Sequence, residues 1–329
     1  MVLTLPRWSA MYAHVKWFID DFSWTPQPMS KVLTNGFLYW FGLTIAGLLL
    51  CSVLAGPLER VPIVRSLHGF LNRFVPYKMG ILRVGLGIGL VLQLLTGTYL
   101  APEFPLDAWW QYVLMITAIA GLVHKKLLTV SGAALAFLYI RTITVYGLFH
   151  SLDYMFYVGI IYCLVTANTK WNRTGTHVMY VFTGLSLAWL AMEKLTLAKL
   201  ACTVMHDYGL PTMGFTVEDF VLISAFVELG LAWAFIVGLM NRFTALLVTG
   251  IFLFTASVFG ETEVVGHTIL HTLFLLFIIE GSGTWQTLFN FHRSLAMRCL
   301  FVAVNFCFLL FALMAIYIWM GQPGNIFSA

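Results

Sequence analysis

The residues most suited to chemistry lie in VFGETEVVGHTILHTLFLLFIIEG, positions 258–281. Two carboxylates, Glu261 and Glu263, open the stretch. His267 and His271 follow at four-residue steps, and an apolar run ends in Glu280. On a helix, Glu263, His267 and His271 share one face, each about one turn past the last. Carboxylate and imidazole are side chains that bind transition metals or relay protons. The H-x-x-x-H spacing suits two imidazoles on one ion, but successive steps rise about 6 Å, too far for all three groups to reach one metal at bonds of about 2 Å. A metal shell would use His267 with either His271 or Glu263 and take further ligands from Glu193, Glu228 or His206. The plainer alternative is that the histidines only satisfy hydrogen bonds at a helix interface.

Other polar groups extend this constellation. Glu228 falls about ten residues into an apolar run, where a charge costs a few kcal/mol, so it is expected protonated or paired. Glu193 is a candidate for the same pocket. Its neighbour Lys194 is expected to snorkel toward the membrane surface. His206 and Asp207 lie in MHDYGLPTMGFTVED, read as a loop beside the Glu/His stretch. Met192, Met205 and Met213 offer soft thioethers for copper, or simply fill the core. Cys202 stands near Met205 and His206, whereas Cys51, Cys163, Cys299 and Cys307 read as small apolar residues. Arg141 is expected to pair with an acid such as Asp153, Glu280 to be interfacial, and His14 is an outlying candidate ligand or partner contact.

The elements that must position these groups follow from hydropathy. Of 329 residues, 60% are hydrophobic and 10% charged, against roughly 25% charged in soluble domains. The reading is an all-α, polytopic helical membrane protein with the lipid bilayer as its first partner. Apolar segments fall at about 36–55, 79–101, 108–123, 127–148, 151–167, 177–201, 218–240, 243–259, 265–281 and 299–320, about ten spans, some shorter than the ideal of roughly 20 residues. Residues 1–34 read as an amphipathic segment lying on the outer membrane surface. Residues 35–78 are a first span and a basic cytoplasmic linker. No cleavable signal sequence is expected, because Pro6, Lys16, Asp20 and Asp21 interrupt the first 30 residues.

Charge orients the chain. With the linker inside, Arg60, Arg65, Arg73, Lys78, Lys125, Lys126, Lys170, Arg173, Arg242, Arg293 and Arg298 all fall inside, and most acids fall outside. Both termini and the Glu/His stretch are then on the outer, periplasmic side of a bacterial inner membrane. The net charge of +4 comes without a basic patch interleaved with aromatics, so nucleic acid is rejected as a partner.

The chain also carries an internal repeat, 79–167 and 177–281. Ile119, Gly121 and Leu122 recur as Ile236, Gly238 and Leu239 at an offset of 117, which also takes Lys125 to Arg242, Phe137 to Phe254 and His150 to His267. Both halves begin inside, so they read as parallel four-helix repeats. They differ at polar positions: Gln111 against Glu228, Tyr146 against Glu263, Tyr154 against His271. The second half, with GLSLAWLAMEKLTLAK, FVELGLAWAFIVGLMNRFTALLVTGIF and VVGHTILHTLFLLFIIEG, resembles the DoxX family of four-helix membrane proteins. The likeness rests on Glu228 with Gly230, the turn from Gly238 to Arg242, and a fourth helix polar at its start. It implies a four-helix membrane block, and subunits linked to sulfur-compound oxidation with quinone reduction or to thiol and oxidative-stress systems.

Three functions follow as expectations. The first is a component of a quinone-linked membrane redox system, with Glu228, Glu193 and His267 moving protons and other membrane or periplasmic redox subunits as partners. The second is a transition-metal (copper, iron or zinc) binding or transport protein using Glu263, His267, His271 and His206. The third is a structural subunit of a membrane complex. No P-loop, nucleotide fingerprint, catalytic triad or CxxCH motif is present, which disfavours ATP-driven transport, hydrolase chemistry and c-type cytochrome function.

Overall fold

A computed structural model describes residues 25–283 and 287–323. His14 and most of segment 1–34 lie outside the described residues. The long helices are α1 (Asn35–Arg60), α2 (Pro62–Asn72), α3 (Lys78–Leu95), α4 (Trp109–Val123), α5 (Leu128–Tyr146), α6 (Phe156–Thr166), α7 (Gly175–Thr196), α8 (Ala198–Asp207), α9 (Val217–Val237), α10 (Asn241–Phe259), α11 (Glu261–Glu280) and α12 (Leu295–Gly321). A short antiparallel ribbon, β1 (Thr98–Tyr99) and β2 (Ala101–Pro105), joins α3 to α4. Among the described residues eight helices are long and apolar enough to cross a membrane; a ninth span forms if Leu148–Tyr154 and Phe156–Thr166, which meet at 67°, are taken together. Helix α4 is apolar but only 15 residues long.

The helices α3, α4, α5, α6, α7, α9, α10 and α11 follow one another around a ring, each packed on the next, and α11 closes it on α3. Helices α1 and α12 pack together against α7 and α9. Small residues set the close approaches at both seams of the ring, because lipid supplies no hydrophobic drive and close packing must hold helices together. On α3, a Cβ at Gly85 would meet Thr272 Oγ1 of α11 at 2.2 Å, and one at Gly89 would meet Ile269 Cγ1 at 2.3 Å. On α6, a Cβ at Gly159 would meet the Met179 Cα of α7 at 2.8 Å.

Turns and caps follow local chemistry. Thr216 caps α9 by accepting from Asp219 N at 3.1 Å, with Glu218 and Asp219 at the positive end of the helix dipole. Gly238 ends α9 at φ 77°, a left-handed cap that lets α10 begin three residues later. The basic turns gather at one end. Asn168 Nδ2 donates to Lys125 O (3.0 Å), Arg242 donates to Asn72 Oδ1 (2.5 Å), and Lys78 Nζ lies 2.7 Å from Glu280 Oε1.

Three expectations are corrected. Residues 98–105, taken as the end of one span and a loop, form the ribbon, because Gly97 and Leu100 adopt positive φ and Pro102 and Pro105 cannot continue a helix. The region 198–207, read partly as span and partly as loop, is the separate helix α8. Arg141 lies 3.8 Å from Asp107 and over the Trp110 ring, not against Asp153, which the bend before α6 carries into the interior.

Candidate functional site

Helices α7 to α11 enclose a cavity of about 630 Å³. Its walls are apolar: Leu187 and Leu190 of α7, Val227 and Leu231 of α9, Leu247, Val248, Ile251 and Phe252 of α10. Five ionisable residues line it: Glu193, Lys194, Glu228, Glu263 and His267. Helix α8 contributes Ala201, Val204 and Met205, and Leu210, Pro211 and Met213 follow from the loop after it.

Each polar group arrives for a local reason. Glu193 and Lys194 occupy the last turn of α7. A helical side chain leans toward its own N-terminus, so Lys194 reaches back along α7 toward mid-helix. There its ammonium contacts Glu228 Oε2 on α9 directly. The expected snorkelling is therefore not what Lys194 does. The half-buried carboxylate offers a closer partner than the membrane surface, and an unpaired charge within the span would be costly. Glu193 is 1% exposed and faces the same space.

In the same lining, Glu263 and His267 stand one turn apart on α11, with Glu263 Oε2 in direct contact with His267 Nδ1. Thr255 of α10 donates to the same Glu263 oxygen at 3.4 Å. Both residues are buried, at 4% and 3% exposure. His267 packs edge-on to Phe252, ring centroids 4.7 Å apart, which fixes the plane of the imidazole. Two acid–base pairs thus line one apolar chamber, one from α7 and α9 and the other from α11. Each can pass a proton internally without a net change of charge.

The remaining candidates are placed elsewhere. His271 is half-buried one turn past His267, edge-on to Phe252 and Phe274 at 6.3 and 6.2 Å, and does not line the cavity. His206 is exposed near the end of α8. Burial, with Glu218 nearby, pushes the Cys202 thiol up, away from the thiolate a soft metal needs. Among the described residues no group of three or more His, Cys, Asp or Glu side chains is placed to hold a metal ion. Glu280 does more than mark an interface: Lys78 bridges it to Thr176, joining α3, α7 and α11 at the basic end.

Sequence reasoning missed the Lys194–Glu228 pairing and the role of α8 and its loop in forming part of the cavity lining. The lean of helical side chains offered a signal for the first. The second had only the length of the 197–216 connection. No protein-family model, no curated protein and no solved structure matches the chain.

Proposed function

We propose that this chain is a DoxX-like inner-membrane protein serving in a quinone-linked redox system, with the α7–α11 cavity as its ligand site. The observation that carries this reading is the cavity: an apolar chamber within the span region, holding Glu193, the Lys194–Glu228 pair and the Glu263–His267 pair. Reduction of a quinone by two electrons takes up two protons. The electrons would come from another membrane or periplasmic redox subunit. Glu228 and His267 are the proton-exchanging groups, each restored by its neighbour, and Glu193 is a third acid on the same wall. The transition-metal reading finds less support, since His271 and His206 stand outside the chamber.

The same proposal covers architecture and orientation. The chain is read as about ten spans, two parallel four-helix blocks and two added helices. The packing order supports it: the last helix of the first block, α6, packs on the first of the second, α7, and α11 packs on α3 in the same sense. The basic end is the cytoplasmic end, so the cavity's α8 end and both termini are periplasmic. Cysteine labelling of intact cells should then reach positions 208–215 and miss 168–174; the reverse pattern would turn the site inward.

For the site itself, purified protein would be extracted with organic solvent and analysed for quinone, with elemental analysis alongside. Bound quinone in the native chain and its loss in Glu228→Gln and His267→Leu are expected. A stoichiometric metal with no quinone would replace this reading with the metal one.

A further inference from the structure

The cavity wall between α9 and α10 is open. Val227 and Leu247, which line the chamber, are 46% and 41% exposed, and Ile251 is 42% exposed. These apolar positions fall within the spans, so the opening faces lipid and not water. Just beyond it lies a second cleft of about 280 Å³ between α1, α9 and α10. Ile223, Val227, Leu231 and Leu247 belong to the linings of both. The cleft contains no Asp, Glu, Lys, Arg or His in its lining. Small residues give it depth: a Cβ built on Gly47 of α1 meets nothing within 4 Å, and Gly230 on α9 meets only Thr44 Cγ2 at 3.2 Å.

One chamber with ionisable groups set in apolar walls and one cleft without any, joined across a lipid-facing rim, match one kind of molecule. We infer that the site takes an amphiphile with a compact hydrogen-bonding head and one long apolar chain, the head in the chamber and the chain in the α1/α9/α10 cleft. This rests on the quinone reading above and adds the tail and its route. The head enters sideways from the bilayer between α9 and α10, and the chain never has to pass the α8 end of the chamber. Lipid is as apolar as the cleft, so the chain gains little hydrophobic free energy by moving into it. The effect of the cleft is orientation: a chain held against α1 presents the head to Lys194–Glu228 and limits its other poses.

The test uses the full-length protein in nanodiscs and a benzoquinone carrying a ten-carbon chain with a terminal diazirine. After irradiation, labelled peptides are mapped by mass spectrometry, with and without excess unlabelled decyl-benzoquinone. Competed labelling should fall on α1 between Thr44 and Cys51 and on Phe243 of α10. Gly47→Phe fills the cleft at a position with free space, and should cut that labelling by about fivefold or more, the size expected of a steric conflict in an occupied slot. Thr44→Leu provides a second, milder obstruction. Extractable quinone should persist in both variants. Competed labelling that falls instead on α8 or the 208–215 loop, or is unchanged by both variants, overturns the tail assignment and leaves the quinone reading standing. Absence of any competed labelling, together with no extractable quinone in the native chain, overturns both.

Discussion

Between α3, α5 and α6 the interior is filled by rings. Phe104 of the ribbon lies 4.6 Å from Tyr146, 5.2 Å from Tyr154 and 5.8 Å from Tyr99, centroid to centroid. Tyr157 donates to Leu100 O and accepts from Gln93, so the ribbon is also fastened by hydrogen bonds. Between α7, α9, α10 and α11 the comparable space is a chamber with two acid–base pairs. The helices neighbour one another in the same order in both halves. The difference lies in the connection after the first helix of each. In the first half it folds inward as a ribbon and plugs the interior. In the second it becomes α8 and a loop, which contribute only part of the chamber's lining. Helix α9, at 21 residues, also exceeds α4 at 15, which adds about 9 Å of wall at 1.5 Å per residue. Whether four such helices enclose a core or a site is decided by what their connector does.

The contrast can be broken from either side. Phe104→Ala removes the plug of the first half and should cost about 3–5 kcal/mol, read as loss of thermal stability in detergent; a near-neutral result would mean that the ribbon does not hold that interior. In the second half, Glu228→Met alone strands the Lys194 ammonium and should destabilise by about 3 kcal/mol. Lys194→Met with Glu228→Met should be markedly milder in stability, yet still lose the ligand. Equal destabilisation by single and double variants would show that the pair contributes nothing beyond its separate parts.

Smaller effects test the seams and the boundary of the site. Gly159→Val and Gly85→Val should each cost about 1–3 kcal/mol by overpacking the two joints of the ring; a large cost at one alone would argue that the joints are not equivalent. His271→Leu should leave ligand retention unchanged while His267→Leu removes it. Equal loss from both would return His271 to the site.

Much was legible in advance because it is local. The eight strongest spans follow from runs of apolar residues. The one-face placement of Glu263 and His267 follows from helical periodicity. The gathering of Lys78, Lys125, Arg242 and their companions at one end follows from span alternation. The spans expected at 79–101 and 151–167 overrun the helices that form, Lys78–Leu95 and Phe156–Thr166, because Pro102 and Pro105, the positive φ at Leu100, and the bend before Phe156 are not hydropathy signals.

The sequence by itself therefore determined that the chain is helical and suited to the membrane, that acids and histidines recur on the α11 face, and that an acid, Glu228, lies within α9. Only the tertiary structure decided that Lys194 turns inward to Glu228, that Glu193 joins them, that His271 and His206 stand aside, and that Val227 of α9 and Leu247 and Ile251 of α10 are exposed at the cavity's edge. The reason is physical. Helices such as α9 and α11 are apolar nearly all round, so no stripe on them records which face meets which neighbour. That choice is made by contacts between distant residues, such as Gly85 with Thr272 and Gly159 with Met179, whose steric fit exists only once the helices are side by side.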